Sequence, residues 1–525
     1  MNKEKWILLT IILIGFFLRV YNFHDFLRFN ADQSRDAGVI SNAIEERSPL
    51  PLLGPKAGGT DFRLGPVFYE FQYMAAMIFG NEPDKMAYPD LFFSVLAIPL
   101  LFFFLKKIFS DKLSLGLTAI FAFSFFAIKY SHFAWNPNST PFWTMLFLYA
   151  FSEALKTEEK QKKLWWPILA GIALGVSVQL HTFLLIGFPI IFLVSVVCFS
   201  FANKSLKIWK NALIILIFAL LVNIPQIWGE FKTKGENTQA FFSAITTKDK
   251  NNENKNLLQN IQKNVICFAG ADTYILSSLG SSEDCKLYGS KDSMAAKILF
   301  SLFGIIFSAG GFVLALYYLK KEDESIDKQF LKIVLAYLII SFLIFIPLIN
   351  EISVRYFLVL IFVPFLFLGF WFKFITEKLG GKYGNFFAIA TISFFVAVNF
   401  LTTVKTFKEW SNYTKETENN DFENTTLKEV EMMADFIKEN SEGKREVFLD
   451  GNGLYLFKFE KSIQYFTLKS GIKISQKDKI ESGDILFHLI NTEKTEKTLQ
   501  NKKDGFNPIS SKAFGRFTMV KWMKI

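Results

Sequence analysis

Histidine and cysteine are scarce in this 525-residue chain, at four and three residues. The histidines are dispersed, which leaves a histidine-based metal centre without support, and there is no H-E-x-x-H motif or paired C-x-x-C to suggest a zinc site. A P-loop is missing, as is a G-x-G-x-x-G after a strand, so nucleotide hydrolysis and dinucleotide binding have no motif to rest on. No lipidation or retention signal is evident at either end, and no repeat of solenoid period is visible. Charge is also missing, but only in blocks. The stretch from Trp6 to Tyr21 carries one charged residue, Arg19, and similar blocks recur down to Val404.

Those blocks define the class. Hydrophobic residues make up 51% of the chain and 63 are Phe, and each apolar block is close to the roughly 20 residues that cross about 30 Å of hydrocarbon. The first is read as a retained helix, because Arg19, Tyr21 and Asn22 stand where a small-residue cleavage site would be expected. The net charge of +10 has a topological cause rather than a nucleic-acid partner. Lysines cluster in alternate short loops, at Lys3 and Lys5, at Lys106, Lys107 and Lys112, around Lys156, around Lys207, around Lys320 and around Lys378. The positive-inside rule makes these loops and the N-terminus cytoplasmic.

Hydropathy and charge together predict about eleven spans, at 6–22, 88–105, 113–130, 141–155, 164–180, 183–201, 211–228, 295–318, 330–349, 356–374 and 384–404. The run from Leu164 to Ala202 is too long for one crossing and is expected to fold back near Gln179 to Thr182. The expected fold is an α-helical polytopic membrane protein, residues 1–404, with a small C-terminal α/β soluble domain, 405–525, on the extracytoplasmic side. In that domain an amphipathic helix is predicted around 426–439 and strands at 446–449, 484–490 and 517–522.

Two long external segments break the pattern. In the first, 23–87, Asn30 followed by Gln33 resembles a capping box, so a helix is expected over about 31–46 with Asp32 and Asp36 on one face. Leu64 to Phe79 reads as an amphipathic helix at the interface. The second segment, 229–294, is polar and contains Cys267 and Cys285, which are either a disulfide or two free thiols; Cys198 lies alone in a span.

Several passages are similar to those of the GT-C superfamily of integral membrane glycosyltransferases, in particular the family of protein O-mannosyltransferases and lipid A aminoarabinose transferases. They are Phe17-Leu18-Arg19-Val20-Tyr21, Ala31-Asp32-Gln33-Ser34-Arg35-Asp36-Ala37, Leu64-Gly65-Pro66-Val67-Phe68-Tyr69, Trp135-Asn136-Pro137 and Gln179-Leu180-His181. Ile224-Pro225-Gln226, Asn237-Thr238-Gln239-Ala240-Phe241 and Arg355-Tyr356-Phe357 complete the ordered set. The resemblance implies transfer of a sugar from a polyprenyl-phosphate donor to an acceptor at the external membrane face. Nucleotide sugars are cytoplasmic, so an external transferase needs an activated donor delivered through the membrane, and a lipid-linked sugar meets that need. The acceptor, whether protein, lipid or glycan, is not specified by the sequence.

Within this reading Asp32 is the first choice for the carboxylate that takes the acceptor's proton. The family pattern has an acidic pair where this chain has Asp32-Gln33, which leaves open whether Asp36 supplies the second carboxylate and whether a divalent cation binds. Arg355 is the candidate for the leaving phosphate, since a guanidinium fork suits phosphate oxygens, with His181 and Arg63 as further phosphate ligands. Arg35 and His132 fall on the same predicted face. The rival reading is a transporter or flippase, but that class places ionisable residues near the bilayer midplane, whereas here they gather at the predicted external ends.

Overall fold

The computed structural model describes residues 3–156, 164–250, 256–279, 285, 294–349, 351–412, 425–451, 453–475, 480–492, 505–514 and 517–525, without the side chains of 245–250, 294–297, 412 and 453–458. The chain opens with α1 (Lys3–Val20), then a loop region holding α2 (Phe23–Phe26), α3 (Ala31–Ile44), α4 (Val67–Phe79) and α5 (Pro83–Met86). The bundle continues through α6 (Tyr88–Lys106), α7 (Asp111–Phe123), α8 (Phe125–Ser131), α9 (Thr140–Ala154), α10 (Trp165–Leu180), α11 (Thr182–Asn203) and α12 (Leu206–Val222). After α13 (Ile224–Lys232), α14 (Glu236–Lys250) and α15 (Leu257–Ser277) come α16 (Met294–Lys320) and α17 (Lys328–Leu348). A 3-10 turn (Val354–Leu360), α18 (Val363–Leu379) and α19 (Gly381–Asn412) complete it.

Each of the eleven predicted spans coincides with helix, but length and apolar composition qualify fewer of them as crossings. Among the described residues five single helices pass, and eight if each bent pair counts as one. The remaining predicted spans correspond to α1, charged at both ends, and to α9 and α10, of 15 and 16 residues. The bent pairs have local causes. Pro225 lies in the first turn of α13 and cannot continue α12, so the predicted span 211–228 is broken by 58°. At the 51° bend between α7 and α8, the buried Arg19 guanidinium donates to Ala122 O at 2.8 Å and Gly15 O at 3.0 Å, and its Nε to Ser94 Oγ at 2.9 Å. A helix break inside a bundle requires such substitute donors or acceptors for the freed backbone.

The second long segment is not the loop expected from its polarity. Its α15 is buried from Phe268 to Ser277, Thr273 apart, among the bundle helices, where Asn399 donates to Leu276 O at 2.6 Å and Ser124 to Ile275 O at 2.8 Å. Side chains of α19 and of the break between α7 and α8 thereby satisfy carbonyls left over at the end of α15. Cys267 and Cys285 form a disulfide.

The C-terminal domain has α20 (Leu427–Asn440), β1 (Glu446–Gly451), α21 (Gly453–Lys469), β2 (Lys473–Ser475), β3 (Ile485–Asn491), β4 (Phe506–Phe514) and β5 (Phe517–Lys524). The sheet order is β2-β1-β3-β5-β4, parallel on the β2-β1-β3 side and antiparallel on the other. β1, β3 and β5 alternate or run apolar and form the buried centre. The sequence did not single out β2, β4 or α21, because β2 has three residues and β4 is largely exposed.

Candidate active site

The first turn of α3 is fixed by its cap. Asn30 Oδ1 accepts from the Asp32 amide at 3.1 Å, and Gln33 Oε1 accepts from the Asn30 amide at 3.3 Å. Gln33, the residue after Asp32, therefore serves the helix start, and its Nε2 also donates to Ala134 O at 3.2 Å. This leaves the Asp32 side chain 58% exposed, while Asp36, one turn on, is 1% exposed. Arg35 lies between them, with Nη1 on Asp32 Oδ1 at 2.9 Å, Nε on Asp36 Oδ1 at 2.9 Å and Nη2 on Asp36 Oδ2 at 3.0 Å. Tyr69, from α4, donates its hydroxyl to Asp36 Oδ1 at 2.8 Å.

Burial pushes the Asp36 carboxyl above the ordinary aspartate range, and the Arg35 guanidinium and Tyr69 hydroxyl counter this only in part. Burial also works against the charge on Arg35, but Asp36 and Asp32 outweigh it and hold that guanidinium above its usual value. No group of three or more His, Cys, Asp or Glu among the described residues is arranged to hold a metal ion. The donor set here fits a guanidinium, which already bridges the two carboxylates.

A second cluster gathers around Trp135. Arg355, exposed at the start of the 3-10 turn, places its guanidinium 5.8 Å from the Trp135 ring centre and 5.6 Å from that of Tyr356. Among the described residues no carboxylate pairs with it. The His181 ring meets Tyr356 edge to face at 5.7 Å. His181 caps α11, its Nδ1 accepting from the Phe183 amide at 3.1 Å. Burial and the nearby Arg355 charge lower the imidazole to about 4, so it is neutral at pH 7.

Residues 134–136 join the two clusters. Ala134 O accepts from Gln33, the Trp135 amide donates to Asp90 Oδ2 at 3.1 Å, and Asn136 Nδ2 donates to Leu180 O at 2.7 Å. One short segment thus carries bonds to α3, α6 and the α10–α11 corner. Asp90 was not a sequence candidate; it reads as an ordinary first-turn acid behind Tyr88-Pro89. Tyr69 lay inside a matching passage but had no assigned role.

Two other candidates are placed differently. Arg63 closes a tight loop, its amide donating to Asn237 Oδ1 at 2.7 Å and its Nη1 to Gly54 O at 3.2 Å, so the Asn237 passage is brought against it. His132 is 1% exposed, its ring packed beside Phe23, Phe407 and Trp410, with Nδ1 at 2.9 Å from Ile128 O. Its backbone carbonyl also reaches the loop that leads to α3, accepting from the Arg28 amide at 2.8 Å.

Residues 4–229 match the sequence model of the dolichyl-phosphate-mannose-protein mannosyltransferase family, which is fewer than half of the chain. ArnT from Cupriavidus metallidurans, in a structure bound to undecaprenyl phosphate, superposes with a TM-score of 0.54 at 10% identity, covering 99% of this chain and 98% of that one. The fold is that of the GT-C glycosyltransferases. The apo oligosaccharyltransferase of Archaeoglobus fulgidus superposes with a TM-score of 0.54 at 14% identity over 90% of this chain. This chain spans 64% of that archaeal enzyme, a little under two thirds of its length. No sequence among curated proteins matches this one.

Proposed function

We propose that the protein transfers a sugar from a polyprenyl-phosphate donor to an acceptor hydroxyl or other nucleophile at the external face of the membrane. The observation that carries this reading is the pairing of an exposed, guanidinium-oriented carboxylate, Asp32, with an Arg355 that no described carboxylate neutralises. They are joined through residues 134–136. The fold and the family match over residues 4–229 support the same reading.

In this mechanism Asp32 accepts the proton of the acceptor hydroxyl as its oxygen attacks the anomeric carbon. The bond from that carbon to the phosphate oxygen breaks, and the polyprenyl phosphate leaves with the bonding electrons. Arg355 stabilises the charge that develops on the phosphate. Neutral His181 offers a hydrogen bond from Nε2, because Nδ1 is committed to the cap and carries no proton there. Asp36 is too enclosed to meet an acceptor and acts by fixing Arg35, which in turn orients Asp32.

The lysine pattern supports a cytoplasmic N-terminus and an extracytoplasmic site and C-terminal domain. The test is to incubate purified protein with polyprenyl-phosphate sugars and measure release of polyprenyl phosphate, with Asp32→Asn as the comparison. Release by the wild type alone is expected; no release with any donor would overturn the reading.

A further inference from the structure

The C-terminal domain does not hang from the bundle as a separate module. It holds α3 at both ends. Ahead of the helix, the Leu427 amide donates to Leu27 O at 2.6 Å and the Phe29 amide to Thr425 O at 3.2 Å, forming an antiparallel bridge centred on Arg28 and Thr426. Asn30, the cap of α3, follows immediately, and Thr426 is itself the cap of α20. The two helix starts are therefore set against each other through paired backbone. Phe29 is 1% exposed and its ring meets those of Tyr465 and Phe466 at 5.5 and 5.6 Å.

Near the other end of α3, Ser41 gives its hydroxyl proton to Asn81 Oδ1 at 3.0 Å. Its contact with Tyr465 Oη, also 3.0 Å, must then be a bond donated by the tyrosine. Lys469 adds a bond to Asn81 O at 2.9 Å. One face of α21 thus touches both Phe29, the residue before the cap of α3, and the last turn of that helix. A 14-residue helix containing Gly, Ser and Asn is marginal by itself, so its position is set by what packs on it.

We propose that Tyr465, with the ring of Phe29, is a positioning residue that clamps α3 and thereby fixes Asp32. This rests on the catalytic reading of Asp32 given above. It makes the C-terminal domain part of the transferase unit and not an appended binding module.

The test uses the full-length protein carrying Tyr465→Phe, which removes the hydroxyl but keeps the ring, and Tyr465→Ala, which removes both. Amide hydrogen exchange of residues 31–44 is expected to quicken by about tenfold or more in Tyr465→Ala and by less in Tyr465→Phe, with the strands β1, β3 and β5 keeping wild-type protection. Turnover of the lipid donor should fall in the same order, with KM for the donor unchanged within about twofold. Unchanged exchange of 31–44 in both variants would overturn the clamp, whatever the activity. Tyr465→Phe decides the point if the alanine variant loses the protection of its own sheet. A wild type that releases no polyprenyl phosphate would overturn the transferase reading, while the exchange measurement would still decide the clamp.

Discussion

Arg35 divides its guanidinium between two carboxylates of different exposure, with two bonds to the enclosed Asp36 and one, at 2.9 Å, to the open Asp32. The buried partner anchors the arginine and the arginine aims the exposed one. The two aspartates, alike in sequence and one turn apart, therefore have separable roles.

Asp32→Asn should lower donor turnover by about 100- to 10,000-fold, the usual range for a lost general base, without changing thermal stability. Asp36→Ala should lower stability and, by freeing Arg35, reduce turnover less than Asp32→Asn does. It leaves the Tyr69 hydroxyl and two Arg35 donors without their acceptor, at a cost of about 1–3 kcal/mol. Turnover and melting temperature of the two variants in detergent check the division; equal melting losses in both would count against it.

Arg355→Ala should reduce turnover by about 100-fold, as for removal of one charge-stabilising donor. Arg355→Lys should recover only part of this, because a lysine keeps the charge but cannot fork across two phosphate oxygens. Steady-state kinetics on a single lipid donor would show it.

His181 has two separable duties, capping α11 and facing Arg355. His181→Ala should destabilise by about 1 kcal/mol through the lost cap, and His181→Asn, which can still cap, should not. The pH dependence has a defined sign. The folded imidazole titrates at about 4 and the unfolded one near 6.5, so between these values the unfolded chain binds more protons and stability falls as pH falls. The melting temperature should fall less between pH 7 and pH 4 in His181→Asn than in the wild type.

Orientation can be read from labelling. A cysteine placed at the exposed Ser470 (Ser470→Cys, with Cys198→Ser) should react with an impermeant maleimide in intact cells, and one at the exposed Lys112 position (Lys112→Cys in the same background) only after permeabilisation. The reverse pattern would invert the topology.

Features that depend on neighbours in the chain were legible in the sequence. The cap at Asn30, the helix carrying Asp32 and Asp36, the turn at His181 and the α20 start at Thr426 are all set within four residues of themselves. The burial of α15 was not legible. Its mean polarity resembles that of a loop, and the polar side chains find partners only in the packed helix: Asn264 donates to Phe342 O of α17 at 2.9 Å, and Thr273 to Ala269 O of its own helix at 2.8 Å. Likewise Asp90 carries no local sign that it will meet the Trp135 amide 45 residues later.

The sequence by itself determined the membrane class, the apolar blocks and the residue types available for chemistry, because hydropathy, charge and capping act over one helix or less. Only the tertiary structure decided which of two equivalent aspartates is open and which is enclosed. It also decided that the His181 ring meets Tyr356 beside Arg355, that Arg355 lies over Trp135, and that α21 of the C-terminal domain closes on α3. Those relations rest on burial and on hydrogen bonds between residues tens to hundreds of positions apart, and no local pattern encodes such pairs.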